Sequence, residues 1–271
     1  MRPARKILLF LVLPIASLLL GLRLLIGTET GTRWLVRQAE PMMAGALAVG
    51  EVSGHLLDRL VVHDLRWRDP GIEVRLAELD LHWDPMALWR GWLEILNLHV
   101  SGIRVQLFPT PAPAEPPPIA PTWPPVLPDL RLPVAVKIAD LQLDRIEIQG
   151  PEAGPRVVDR LQLVARLEQE AQLQIEKLEL LAPQGRIALL GRAGLQAPYP
   201  ISLNGDWRLQ LQDGLSAGGQ LSLQGDGREL HLHHGGAGEW PLNLQGRFED
   251  LLGDPVWSVQ LDWPELPLPG E

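Results

Sequence analysis

The chain has 271 residues, a formal net charge of −9 and no cysteine. Its acidic balance, without a basic patch interleaved with aromatic residues, argues against nucleic acid as a partner. The lack of cysteine excludes disulfides, thiol nucleophiles and cysteine-bound zinc.

The N-terminal segment is basic and then apolar. Arg2, Arg5 and Lys6 precede an apolar run from Ile7 to Ile26. Roughly twenty such residues suffice to cross a bilayer, and basic residues before them favour a cytoplasmic N-terminus. A cleaved signal peptide is the alternative, but no small-x-small site follows the run cleanly. We therefore predict an uncleaved transmembrane helix over residues 1–27. Its apolar positions include Ile7, Leu11, Leu18 and Leu22.

Residues 28–48 predict a short helix. Thr30 or Thr32 is suited to cap its first turn, and Pro41 to end or kink it. Such a helix either caps one end of a sheet or lies on the membrane with Trp34 as an interfacial anchor. Capping is the preferred interpretation, and the two are compatible.

Residues 49–108 form a first block of predicted strands, in which apolar and polar residues alternate. A shift of phase at Ala77-Glu78 predicts a β-bulge, which also curves a sheet. Asp84 and Pro85 are typical of the first positions of a helical turn. The strands resume at Leu93, and Gly102 divides this last part into two.

The order of these elements resembles the N-terminal portion of TamB-like proteins, within the wider AsmA-like group. The resemblance covers residues 1–108 well and residues 134–271 more loosely. It depends on an ordered series of segments rather than on one diagnostic motif. The segments are Gly27–Gly31, Trp34-Leu35, Val49–Leu56, Leu60–Trp67, Leu79–Pro85 and Leu98–Val105.

Residues 109–133 are dense in proline. Because proline cannot donate to a β-ladder, this segment predicts an extended or polyproline-type insertion. A plain surface loop is a simpler interpretation of it than a partner-binding segment.

Residues 134–271 form a second block of predicted strands. A shift of phase at Asp144-Arg145 predicts another bulge. In the last third, short alternating runs recur, and most of them stop at a glycine, which is typical of tight turns. These observations predict a repetitive antiparallel meander. The runs are Ile201–Gly205, Trp207–Gly214, Gln220–Gly225, Leu230–Gly236, Leu242–Gly246 and Trp257–Trp263.

Catalytic and metal-binding motifs are missing from the sequence. His231 and His233 share one strand face while His234 points to the other, and no carboxylate of familiar spacing accompanies them. There is no nucleophile elbow, P-loop, dinucleotide fingerprint or zinc-protease motif. We therefore expect no enzyme, no metal and no cofactor.

The apolar face of the predicted sheet is the candidate functional surface. It either packs into a closed sandwich or lines an open, elongated, taco-like groove. The adjacent membrane anchor and the absence of closing elements in the sequence favour the groove, whose concave side we infer only from apolarity. The expected lipid-groove residues are Leu141, Leu143, Leu161, Leu163, Leu209, Leu211, Leu221 and Leu223. Trp207 and Trp257 are expected to line the groove or its rim.

The TamB-like resemblance implies that such a groove spans the periplasm and carries phospholipid toward the outer membrane. It also implies a role in outer-membrane assembly with a β-barrel partner, bound through a C-terminal region that has no counterpart here. We therefore expect the chain to be part of a longer, inner-membrane-anchored protein. The alternative is a closed sandwich that scaffolds an envelope complex. A weaker third hypothesis, a carbohydrate-binding domain, would need several Trp residues on one exposed face.

Overall fold

The structure is a computed structural model that describes residues 27–34, 46–109, 132–151, 154–210, 216–238 and 241–263. Thirteen strands form one sheet, and their order in the sheet is their order in the chain. The first seven strands are β1 (Leu47–Gly54), β2 (Arg59–Asp69), β3 (Ile72–Asp84), β4 (Trp92–Leu107), β5 (Ala135–Gln149), β6 (Arg156–Leu167) and β7 (Gln172–Ala182). The other six are β8 (Gly185–Gly194), β9 (Ile201–Gln210), β10 (Ser216–Gly225), β11 (Glu229–Gly238), β12 (Asn243–Glu249) and β13 (Val256–Asp262).

The predicted antiparallel meander is confirmed except at one pair of strands. β4 and β5 are parallel, with Trp92 opposite Ala135 and Gln106 opposite Gln149. A parallel pair needs a crossover that returns the chain to the same end of the sheet. The segment between β4 and β5 contains the proline-dense insertion, most of which lies outside the described residues. Local alternation carries no information on strand direction, so the sequence pattern did not reveal this pair.

Four glycines that the sequence pattern predicts as strand ends lie inside longer strands: Gly236 in β11, Gly246 in β12, and the two that follow. Gly102 is within β4 and has φ +64°, and a Cβ added there would come within 2.7 Å of the Ala77 Cβ. Gly205 is within β9, where the side chain of Leu189 fills the space that a Cβ would need. All four predicted strand ends are therefore wrong, and Gly102 and Gly205 instead permit close approach between neighbouring strands.

In the first strands of the sheet, some residues are left out of the pairing between neighbouring strands, and we call these skipped positions. The pairing of β2 with β3 passes from His63–Glu78 to Leu65–Leu76, which leaves one residue of each strand between the pairs. The pairing of β4 with β5 skips Gly102 and Arg145 in the same way. The phase shifts predicted at Ala77-Glu78 and Asp144-Arg145 are thus confirmed, but the register is unchanged across them, so they are paired skips and the predicted β-bulges are wrong. Because each skipped residue resets the alternation, apolar side chains stay on one face on both sides of the skip.

The N-terminal helix is described over residues 29–34. Its cap is Thr28, whose Oγ1 accepts a hydrogen bond from the Gly31 amide at 3.2 Å, so the prediction of Thr30 or Thr32 was wrong. Thr32 is fully buried, and its Oγ1 accepts from the Leu56 amide at 3.3 Å. Arg33 Nε donates to the Val52 carbonyl at 2.8 Å. These contacts fasten the helix to the β1–β2 hairpin, as the sheet-capping interpretation predicts.

Among the described residues, no helix is both long and apolar enough to cross a membrane. The predicted transmembrane helix over residues 1–27, with Ile7, Leu11, Leu18 and Leu22, lies outside the described residues except for its last position.

The sheet is an open single layer. Within the described ranges, the extensive strand contacts are those between neighbours in the sheet, and no second sheet packs on either face. The alternative expectation of a closed sandwich is therefore wrong for this part of the chain. Val52, Val62 and Val100 are among the few buried large apolar side chains, at 5–6% exposed. Most other apolar side chains of the sheet are only half-buried.

Candidate functional site

One row of side chains on the apolar face crosses all thirteen strands. Partners in neighbouring strands share a face, so the registers define the row directly. Leucine occupies most of its positions, and we call it the leucine row. Its members are Gly54, Leu60, Leu81, Leu98, Leu141, Leu163, Leu178, Leu189, Gly205, Leu221, His234, Leu244 and Leu261.

A second row on the same face lies two residues along each strand from the leucine row. Its side chains are apolar from β1 to β9 and are followed by glycines on β10 and β11. Its members are Val52, Val62, Leu79, Val100, Leu143, Leu161, Leu180, Ile187, Trp207, Gly219 and Gly236.

The structure places the described groove candidates on this one face. Leu141, Leu163 and Leu221 are in the leucine row. The second row contains Leu143, Leu161 and Trp207. Leu209, Leu223 and Trp257 lie on the same face in flanking positions, and Leu211 lies outside the described residues. Their role in binding lipid stays a prediction.

The apolar face is the less exposed face, although no layer of described residues covers it. Along β9, Ile201, Leu203, Gly205 and Trp207 are half-buried, whereas the polar-face residues between them are exposed. Alanine gives a comparison free of side-chain size: Ala217 on the apolar face is 9% exposed, while Ala237 on the polar face is exposed. This difference indicates that the sheet curls toward its apolar face. The apolar rows therefore line an open β-groove.

Glycines make room on the groove side in the later strands. A Cβ at Gly219 would come within 2.6 Å of His234 Nε2, and one at Gly246 within 3.0 Å of the Phe248 ring. Gly205 stands opposite both Leu189 and Leu221. Since side chains crowd together on the concave side of a curled sheet, missing side chains there allow tighter curvature.

His234 is the one titratable side chain in the leucine row, between Leu221 and Leu244. Its ring stacks on Trp207 with centroids 5.7 Å apart. Its Nε2 accepts a hydrogen bond from Trp207 Nε1 at 3.1 Å, which leaves Nδ1 to donate to the Leu242 carbonyl at 3.0 Å. Both ring nitrogens are thereby paired, which is what a polar group on an apolar surface requires. The alternation with Leu230 and Leu232 was the signal that placed it on this face.

The other two histidines of the metal candidate lie on the polar face. His231 Nε2 is 3.0 Å from Glu229 Oε1, and His233 pairs across the strands with Ser222 and Gln245. In the described part of the chain, no group of three or more His, Asp or Glu side chains is arranged to hold a metal ion.

The polar face is covered by ion pairs between adjacent strands. Asp144 accepts hydrogen bonds from Arg160 Nε at 2.9 Å and from Gln142 Nε2 at 2.7 Å, and His99 Nε2 lies 2.8 Å away. Burial opposes ionisation of Asp144, but these bonds together lower its pKa to about 2. Arg59 binds Asp80 through two nitrogens. The polar face is therefore suited to contact with water, whereas the groove is apolar.

A hollow of about 420 Å³ lies where the skipped positions cross the sheet. It is lined by Arg66, Arg75, Arg104 and Arg145. Glu73 binds Arg75 at 2.6 Å, and Arg104 lies 3.3 Å from Glu147. Leu65, Leu76 and Ile103 also line the hollow, so its walls are both charged and apolar.

A family model described as TamB, N-terminal domain, matches residues 18–124 and 111–271 of the chain. No curated protein and no solved structure matches the chain. The family match indicates a protein of the cell envelope, in agreement with the resemblance found in the sequence.

Proposed function

We propose that this chain, which belongs to the TamB N-terminal domain family, carries phospholipid between the two membranes of the envelope and contributes to outer-membrane assembly. The observation that carries the proposal is the leucine row, which crosses every strand of the sheet without a covering layer of described residues. Apolar patches of this extent on a protein surface mark binding sites for other molecules or membranes.

The dimensions of the groove suit acyl chains. Strands lie about 4.8 Å apart, so twelve spacings give a path of about 58 Å across the sheet. An acyl chain lying along the rows exchanges water for apolar surface, which is worth about 25 cal/mol per Å² buried. The charged head group stays at the open side of the groove, where water solvates it.

Movement along the groove is passive in this proposal, without catalysis by the chain. The leucine and second rows present similar apolar surface from one strand to the next. The binding free energy of an acyl chain is therefore similar at each of the early strands. His234 and Trp207 satisfy each other's polar groups. A lipid can therefore pass them without breaking a hydrogen bond to the protein.

The proposed location is the inner membrane, with the N-terminus cytoplasmic and the sheet in the periplasm. The apolar run at residues 7–26 would anchor the chain. Ile7, Leu11, Leu18 and Leu22 would face the acyl chains of the bilayer.

The proposed protein partner is an outer-membrane β-barrel assembly protein, reached through a region C-terminal to this one. β13 pairs with β12 on one side, and among the described residues no strand pairs with its other edge. An open edge of this kind is suited to pairing with a further strand.

Photo-crosslinking in the full chain tests the lipid path. A crosslinking amino acid is placed at Leu143 or Leu221 in the groove, and at Gln142 or Gln220 on the polar face as matched neighbours. The chain is expressed in a bacterium with two membranes, irradiated and purified, and adducts are identified by mass spectrometry. We expect phospholipid adducts at the two leucine positions and none above background at the glutamines.

Equal labelling of both faces, or no lipid at either, would contradict a lipid groove. In the second case, capture of envelope proteins at Leu143 or Leu221 would favour the scaffold function, because the same apolar face would then be a protein interface.

A further inference from the structure

The connection between β3 and β4 presents exposed apolar side chains at one end of the sheet. It is a 3-10 helix, Pro85–Arg90. Trp89 is 88% exposed, Met86 67% and Leu88 41%. We call these three side chains the apolar tip. Such exposure is unfavourable in water and needs an explanation from function.

The tip is held firmly by its neighbours. Asp84 caps the helix by accepting a hydrogen bond from the Met86 amide at 2.9 Å, and Arg90 binds Asp84 at 3.1 Å. Gly91 ends the helix in the left-handed conformation, and Ala87 is fully buried beneath it. The fold therefore presents the three apolar side chains outward instead of allowing them to collapse onto the sheet.

The N-terminal helix and the apolar tip are joined through the β1–β2 hairpin. Leu56 in that hairpin donates its amide to Thr32 of the helix. Its carbonyl accepts from Trp83 Nε1, one residue before Asp84, at 2.7 Å. Trp34, the last described residue of the helix, is itself 54% exposed. Two exposed apolar surfaces are thus fixed at the same end of the sheet.

The chain itself indicates what covers this end. The apolar run ends at Ile26, immediately before the first described residue, Gly27. If that run crosses the bilayer, the short link to Thr32 holds the β1–β2 hairpin, and with it the tip, close to the membrane surface. Segments that lie in a membrane interface commonly combine Trp, which prefers the head-group level, with apolar residues such as Met and Leu, which reach the acyl chains.

We propose that Met86, Leu88 and Trp89, together with Trp34, insert into the bilayer that holds the N-terminal segment. This inference depends on the proposed membrane anchoring and deepens it, because it states which end of the groove meets the lipid. The apolar rows of β1 to β4 would then begin at the acyl-chain level of the outer leaflet of the inner membrane. Lipid could enter the groove there without its tails crossing water.

The test uses the full chain, which has no native cysteine. Met86→Cys and Leu190→Cys are each labelled with the fluorophore NBD and reconstituted into vesicles of phosphatidylethanolamine and phosphatidylglycerol. Leu190 is the matched control, because it is a 54% exposed leucine on the polar face of β8. Lipids with a nitroxide on the acyl chain then quench any label that lies in the bilayer.

Flotation of the vesicles and quenching of the label separate the two hypotheses. We expect the chain to float with the vesicles, and the label at Met86, but not at Leu190, to shift to shorter wavelength and lose intensity with nitroxide lipids. A chain that floats but shows equal, weak quenching at both positions overturns the tip inference and leaves the anchor intact. A chain that does not float overturns both.

Discussion

The groove is curved in two different ways in its two halves. From β2 to β6 the rows carry full-sized side chains, and the strands contain skipped positions such as Asp64, Gly102 and Arg145. From β9 to β11 the pairing runs without a skip from Ala217 to Gly225. Here Gly205 and Gly219 stand in the apolar rows instead. The first half also contains register shifts, such as that between Ile138 and Leu141, where an extra residue in one strand curves the sheet, whereas the second half removes side chains. Both devices keep the apolar residues on one face.

Replacement of Gly205 by valine would put a side chain where the second half of the groove depends on a glycine. The added side chain would overlap Leu189 and the Ala188 carbonyl, so we expect the free energy of unfolding to fall by about 3 kcal/mol. Gly235→Val is the control, because a Cβ there meets only Asn243 Oδ1, at 3.8 Å. Urea unfolding of the two variants, followed by circular dichroism, measures the difference. Equal losses in both would mean that the groove side of β9 is no more crowded than the polar side of β11.

The sequence predicted the faces of the sheet better than the ends of its strands. Period-two alternation placed Leu141, Leu163 and Leu221 together, because side chains two residues apart share a face whatever the neighbours are. Gly102 and Gly205 were misinterpreted because glycine serves turns and close strand approach equally well. The choice between them depends on a side chain in another strand, such as Leu189, which local sequence does not reveal.

Three other features of the structure could not be predicted from the local sequence pattern. The parallel pairing of β4 with β5 depends on where the chain returns after residue 108, and alternation is the same in either direction. The cap at Thr28 was missed because three threonines compete within five residues, and the Thr32 hydroxyl is used instead by Leu56 in a distant hairpin. The apolar tip was not predicted either, since Met86 and Trp89 could equally have packed inward.

Leucine-to-alanine changes would sharpen the comparison between the halves. Leu143 stands between Val100 and Leu161, both full-sized, so its truncation leaves a gap that neighbours cannot fill. We expect a loss of about 2 kcal/mol in unfolding free energy for Leu143→Ala. Leu221 stands between Gly205 and His234, so it has one full-sized neighbour in its row instead of two, and we expect only about 1 kcal/mol for Leu221→Ala. Urea unfolding measures both. A larger loss at Leu221 would contradict the view that the glycines of the second half leave its leucines with fewer side-chain contacts.

The smallest expected effect concerns the polar face of the first half. The pKa of Asp144 is lowered from 3.8 to about 2, because its bonds to Arg160, Gln142 and His99 outweigh burial. A carboxyl with a lowered pKa contributes stability above its unfolded-state pKa and loses it as the pH falls toward the folded-state value. Asp144→Asn should therefore lower the free energy of unfolding by about 1 kcal/mol at neutral pH. The difference from the parent chain should shrink between pH 3.8 and about 2.

The matched control for this prediction lies in the second half. Asp206 is exposed on the polar face of β9, where it stands opposite Ala188 and Gln220. We expect Asp206→Asn to change the free energy of unfolding little at pH 7 or at pH values near 3. Urea unfolding of both variants across this range tests the assignment. A pH-independent deficit in Asp144→Asn would mean that the carboxylate acts through packing and not through its charge. That result would remove the electrostatic contrast between the halves, while their contrast in curvature would stand.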